Sequence, residues 1–133
     1  MKSFKYYYEL LWEIKSIIES MNLTLSLIIV EGKNDEKALR EFGLKIATYR
    51  FRECGLSEVI FVDEISKNFR GKSVAILLDF DESGQKMAEN LSRELEERGV
   101  KIEHYFRKML GEILIKEGIR HIEEIESIRK KAQ

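Results

Sequence analysis

Two stretches of the chain are apolar at every position rather than at alternate ones. They are Leu27-Ile28-Ile29-Val30 and Val74-Ala75-Ile76-Leu77-Leu78. Continuous apolar runs of this length fit strands buried on both faces. Both end abruptly in carboxylates, at Glu31-Gly32-Lys33 and at Asp79-Phe80-Asp81-Glu82-Ser83-Gly84. Strands are therefore expected at about 25–31 and 73–79.

Elsewhere the apolar positions recur at three- and four-residue spacing, the period of a helix with one buried face. Leu10, Leu11, Ile14, Ile17, Ile18 and Met21 predict a helix over 4–21 with aromatic residues crowded at its start. After the first strand, Asn34 is the expected N-cap of a helix, with Asp35 and Glu36 in its first turn and Gly43 as its stop. Ile46–Tyr49 reads as a short strand and 50–55 as a loop. Residues 57–66 carry both signals. Val59, Ile60, Phe61 and Val62 suit a strand, but Ser57 as a cap and the spacing of Val59, Val62 and Ile65 favour a helix, which is the reading adopted. Met87, Ala88, Leu91 and Leu95 predict a helix over 83–98, stopped by Gly99. Val100, Ile102 and His104 mark a fourth strand, and helices are expected over 107–117 and 121–131.

Strands alternating with helices imply an α/β fold. About four strands should form a mainly parallel sheet flanked by helices, with extra helices at both termini. A chain of 133 residues reads as a single domain, 1–133. It divides into an N-terminal helix at 1–22, a core at 25–110 and a C-terminal helical extension at 111–133. No stretch is long and apolar enough for a membrane span, and the first residues lack a signal-peptide pattern, so a cytoplasmic protein with no membrane partner is expected. The 24 acidic and 23 basic residues leave a net charge of −1, so any polyanion site must come from local basic patches. The lone Cys54 excludes an internal disulfide and a cysteine zinc cluster.

In an open α/β sheet, ligands bind at the carboxyl ends of the strands. If the two buried strands are neighbours, Glu31, Asp79 and Asp81 converge. Crowded carboxylates repel one another, and a hard cation such as Mg²⁺ relieves the repulsion. Asp79 and Asp81 are two apart and so project to one side, with Phe80 turned the other way into the core. Gly84 is expected to let the backbone pass close to a ligand. The purely structural alternative makes the two aspartates caps of the following helix.

The two motifs, their order and their separation resemble the Toprim family. This metal-binding domain is shared by topoisomerases, bacterial-type primases, OLD-family nucleases and small ribosomal-RNA maturases. Val30-Glu31-Gly32-Lys33-Asn34-Asp35 matches its Glu-Gly strand end and Leu77-Leu78-Asp79-Phe80-Asp81 its Asp-x-Asp strand end. The match covers about 25–110 and is closest to the small stand-alone and maturase-like forms. It implies a Rossmann-like Toprim fold and a Mg²⁺-dependent protein (Mn²⁺ as substitute) acting on phosphodiester bonds of RNA or DNA, most simply a small nuclease. It further implies that Glu31 moves a proton while Asp79 and Asp81, helped by Glu31, hold the metal. Gly32, Lys33, Gly84, Arg50 and Arg52 are the expected substrate-binding residues. Lys67, Arg70, Lys72, Arg107 and Lys108 are further basic candidates. His104 is placed near the site but read as structural, and His121 as a helix-surface residue.

Two alternatives stand beside this. One is a non-catalytic module that binds nucleic acid or a protein partner through the terminal helices, as monomer or homodimer. The other is a phosphatase, since Asp79-Phe80-Asp81 superficially resembles the haloacid-dehalogenase nucleophile motif. In that family the motif lies on the first strand, whereas here it lies on the third.

Overall fold

A computed structural model describes residues 2–133. Its centre is a four-stranded, all-parallel sheet in the order β2-β1-β3-β4. The strands are β1 (Leu27–Val30), β2 (Thr48–Arg50), β3 (Ser73–Leu77) and β4 (Lys101–Ile102). The two apolar runs lie side by side in the middle, with Ile28 opposite Ala75 and Val30 opposite Leu77. That register brings their acidic ends level with each other.

Alternate residues of these strands feed two separate cores, as the period of two requires. Ile28, Val30, Ala75 and Leu77 face a core shared with α1 (Phe4–Thr24), α2 (Lys33–Glu41) and α5 (His104–Lys116). Leu27, Ile29, Val74 and Ile76 face a second core with α3 (Glu58–Phe69) and α4 (Glu82–Glu97). The ambiguous segment is therefore a helix, capped by Ser57, whose side chain accepts from the Ile60 N–H. Phe61, Val62 and Ile65 point inward, while Val59 and Ile60 are exposed. The strand-like composition of 59–62 gives way to a helical burial pattern because the capping residue and the inward positions agree.

Helix α1 covers the first core with Ile14, Ile18 and Met21, all fully buried. Each such side chain contributes about 1.5–3 kcal/mol of burial. The chain ends in a 3-10 turn (Ile122–Ile125) leading into α6 (Glu126–Lys131), which packs on α1. The last expected helix is thus split in two. The preceding one begins three residues earlier than its apolar spacing suggested, because β4 is only two residues long and α5 starts at His104. Among the described residues, no helix is long and apolar enough to cross a membrane.

One polar cluster braces the sheet edge. The Glu36 carboxylate on α2 accepts from Arg50 Nε at 2.9 Å, from Arg40 at 3.1 Å and from the Thr48 hydroxyl. Burial alone would raise the pKa of this group, but the bonds from Thr48, Arg50 and Arg40 outweigh it and hold the carboxyl down at about 2. A folded-state value below the ordinary one stabilises the protein above pH 4.5 and loses that contribution as pH falls toward 2. Glu36→Gln should therefore lower the melting temperature at pH 7, and the gap to the wild type should narrow steadily between pH 4.5 and 3. A pH-independent gap in thermal melts would refute this assignment.

Candidate metal and phosphate site

Beyond Val30, β1 delivers Glu31, and beyond Leu77, β3 delivers Asp79 and Asp81. The three surround a cleft of about 440 Å³ at the carboxyl edge of the sheet. Asp35 from the first turn of α2, Glu53 from the β2–α3 loop, and His121 and Glu123 from the chain's end complete its walls. Six carboxylates thus face Lys33, Arg52 and His121.

Each acid is held from several directions. Glu31 is 9% exposed and pairs with Arg52 at 2.5 Å. Burial and the nearby Asp79 charge raise its pKa, against the pull of Arg52. Asp35, 7% exposed, accepts from the Gly32 N–H at 3.1 Å and the Glu123 N–H at 3.2 Å. Burial and Asp79 still push it up to about 6. Asp79 accepts from the Ile122 N–H on one oxygen and meets His121 Nδ1 at 3.0 Å on the other. That hydrogen bond raises the pKa of His121. Asp81 caps α4 by accepting from the Gly84 N–H at 2.7 Å. Capping uses one of its oxygens, so the capping role and a ligand role are compatible.

Arg107, on α5, donates to the Leu78 carbonyl and, at 3.0 Å, to the Asp79 carbonyl. Burial lowers its pKa to about 10, which leaves it charged at neutral pH. It buttresses the Asp79 strand end from behind and stacks 4.5 Å over the Phe80 ring. Phe80 is turned into the core as its position between the two aspartates demands.

Several expected placements change. Gly32, not Asn34, is the N-cap of α2. Gly84 packs against backbone: a Cβ there would lie 2.2 Å from the Asp79 carbonyl oxygen, so the contact between α4 and the β3 end itself requires the glycine. Arg50 is committed to Glu36 and Glu53 and does not line the cleft. Arg70 and Lys72 precede β3 and Lys67 ends α3, which puts all three at the opposite edge of the sheet. His104 pairs with Glu96 at 3.1 Å, away from the acids. His121 is not a helix-surface residue. It precedes the 3-10 turn and lies against Asp79. Its only sequence signal is its place just after the apolar Ile119, too weak to locate a residue brought in from 42 positions away.

Asp79, Asp81 and His121 each offer a ligand atom, and these atoms lie within 4.8 Å of one another. The donor set fits a divalent cation. Two carboxylates suit Mg²⁺ and Mn²⁺, and an imidazole shifts preference toward the latter. The neighbouring acids, short of cations and pushed up in pKa, would gain from added positive charge.

The fold and cleft define an α/β protein with a carboxylate-rich site at the carboxyl edge of a parallel sheet. The chain belongs to the UPF0292 family. It is 31% identical over 111 residues to the UPF0292 protein of Pyrococcus abyssi, covering 84% of this chain and 80% of that one. It is 32% identical over 98 residues to the one from Methanocaldococcus jannaschii, covering 74% and 73%. A solved structure of a protein from Aquifex aeolicus is similar at a TM-score of 0.61 and 29% identity, over 88% of this chain and 95% of that one. No family model matches the chain.

Calorimetric titration with Mn²⁺ should give saturable binding that Asp79→Asn abolishes. His121→Ala should weaken it about 10- to 100-fold, the usual effect of removing a partner of a ligating group. Binding unchanged in Asp79→Asn would place the ion elsewhere. Gly84→Ala should cost about 1–3 kcal/mol in urea denaturation through overpacking against backbone. A variant as stable as the wild type would show that the contact yields.

Proposed function

We propose that this protein is a Toprim-type, Mg²⁺-dependent enzyme or enzyme module that cleaves phosphodiester bonds of nucleic acid. One observation carries the reading: Glu31 and the Asp79/Asp81 pair end adjacent parallel strands and open into one cleft. The Toprim resemblance of the two motifs supports it. Asp79 and Asp81 would hold the cation, with Glu31 or His121 completing the set. When bound, the cation supplies charge stabilisation at the transferring phosphoryl group.

The remaining work falls to the chain. Glu31, its pKa raised by burial and by Asp79, is suited to take or give a proton at the scissile oxygen. Arg52, bonded to Glu31 and largely exposed, holds that carboxylate and can meet a phosphate oxygen. Lys33 lines the same cleft and offers a second positive charge to the substrate. Arg107 and the backbone N–H of Ile122 fix Asp79, so its orientation does not wait for substrate.

One observation favours a second reading. Phe4, Tyr8 and Trp12 form an exposed ladder along α1, with ring centroids 6.1 and 6.3 Å apart. A metal-dependent binding module that docks a partner through α1 would use such a face.

Labelled single- and double-stranded RNA and DNA, incubated with Mg²⁺ or Mn²⁺ and with chelator, separate the two. Metal-dependent cleavage is expected. Glu31→Gln should reduce it at least about 100-fold, the lower end of general acid–base contributions, with the circular dichroism spectrum unchanged. Cleavage by Glu31→Gln at the wild-type rate would overturn the assigned mechanism. Metal-dependent binding without cleavage by the wild type would favour the module.

A further inference from the structure

Beside the acidic cleft lies a second groove, of about 620 Å³, along one face of α5. Its charge is opposite. Arg107, Lys108, Lys116 and His104 line it against the single acid Glu112. These residues, with Gly111 and Ile115, recur at three- and four-residue spacing and form one helix face. Phe80 packs on it at Gly111 and Arg107, and His104 pairs with Glu96 of α4, while Lys108, Glu112, Ile115 and Lys116 are exposed. Lys108 and Lys116 are exposed, and among the described residues neither forms an ion pair. Exposed apolar groups accompany them: Ile115 is 48% exposed and Tyr105, the residue after His104 on the same helix, 56%.

The two cavities lie on either side of the β3 end, the Asp79 side chain lining the cleft and Arg107 the groove. Arg107 lines the groove while donating to the Asp79 carbonyl, and Phe80 lies between the two cleft aspartates while lining the groove. A polyanion is repelled by six carboxylates except where a cation sits. It needs a basic path to reach that point, and the α5 face adjoins it where Arg107 bonds to the Asp79 carbonyl.

Resting on the phosphodiester reading above, we propose that the α5 groove is the track that guides a single strand of nucleic acid into the cleft. Lys108 and Lys116, ~12 Å apart along the helix, contact phosphates about three to four nucleotides apart, and Tyr105 and Ile115 receive the bases between and beside them. A single strand is favoured over a duplex because a duplex hides its base faces, leaving the exposed apolar side chains without a partner. From His104 to Lys116 the face runs about 18 Å at ~1.5 Å per residue, room for about five stacked nucleotides at ~3.4 Å each.

The test measures fluorescence anisotropy of labelled 12-nucleotide RNA and DNA single strands and a 12-base-pair duplex, in Ca²⁺ across 50–200 mM KCl. Cleavage of the same oligonucleotides is followed in Mg²⁺. The variants are Lys108→Glu/Lys116→Glu, Tyr105→Ala, and a control, Lys45→Glu/Lys67→Glu, whose lysines lie at the opposite edge of the sheet. The wild type should bind single strands more tightly than duplex. The groove double variant should lose at least about tenfold in affinity at 50 mM salt, and its log–log salt slope should shrink by about 1.4, or ~0.7 per lost phosphate contact. Tyr105→Ala should lose about tenfold with the slope unchanged, the signature of stacking rather than charge. The control should match the wild type. Wild-type cleavage with unaltered affinity in the groove variant would overturn the track and leave the phosphodiester reading standing. Tighter binding of the duplex would overturn the single-strand assignment. No binding and no cleavage of any oligonucleotide by the wild type would overturn both and turn attention to a protein as the groove's occupant.

Discussion

The structure is organised around the crowding of carboxylates at one edge of its sheet. Glu31 and Asp35 are nearly inaccessible to water, and Asp79 is within their electrostatic reach. Buried charge without compensation is costly. The chain offsets it with cations and dipoles drawn from far along the sequence. Arg52 comes from the loop after β2, Arg107 from α5, and the N–H groups of Ile122 and Glu123 from the 3-10 turn before α6. Even so, Asp35 stays protonated well above the ordinary range. These raised pKa values are the electrostatic ground for the cation proposed above, since added positive charge would favour the ionised acids.

This constraint explains why the C-terminal segment belongs to the same unit as the core. The Arg120 carbonyl accepts from the Phe80 N–H, and Ile122 and Glu123 donate to two of the acids. Ile122, Ile125 and Ile128 meanwhile anchor the segment in the core beneath α1. Packing and polar satisfaction act on the same few residues, and together they fix the position of His121.

The central strands were legible because burial on both faces leaves no polar position in them, and their acidic ends stood out for the same reason. The convergence of Glu31, Asp79 and Asp81 required β1 and β3 to be neighbours, and the observed register meets that condition. Helix α3 was readable once Ser57 and the inward spacing were weighed above strand propensity. What was not legible depended on contacts made at long range. His121 reaches Asp79 only because the turn before α6 folds back across the sheet edge. Arg50 is spent on Glu36, a residue of an adjacent element that spacing cannot reveal. Gly84 was read as space for a ligand, whereas the space belongs to the Asp79 carbonyl. A glycine in a sequence shows that something approaches closely, but not what.

The central claim is that the crowded carboxylates exist to hold a divalent cation. An anomalous difference map from crystals grown with Mn²⁺ tests it most directly. The account predicts a single strong peak within the cleft, in contact with Asp79 and Asp81. A cleft without a peak at saturating Mn²⁺, or a peak bound only by residues outside it, would contradict the claim and leave the acids as caps of the helices they precede.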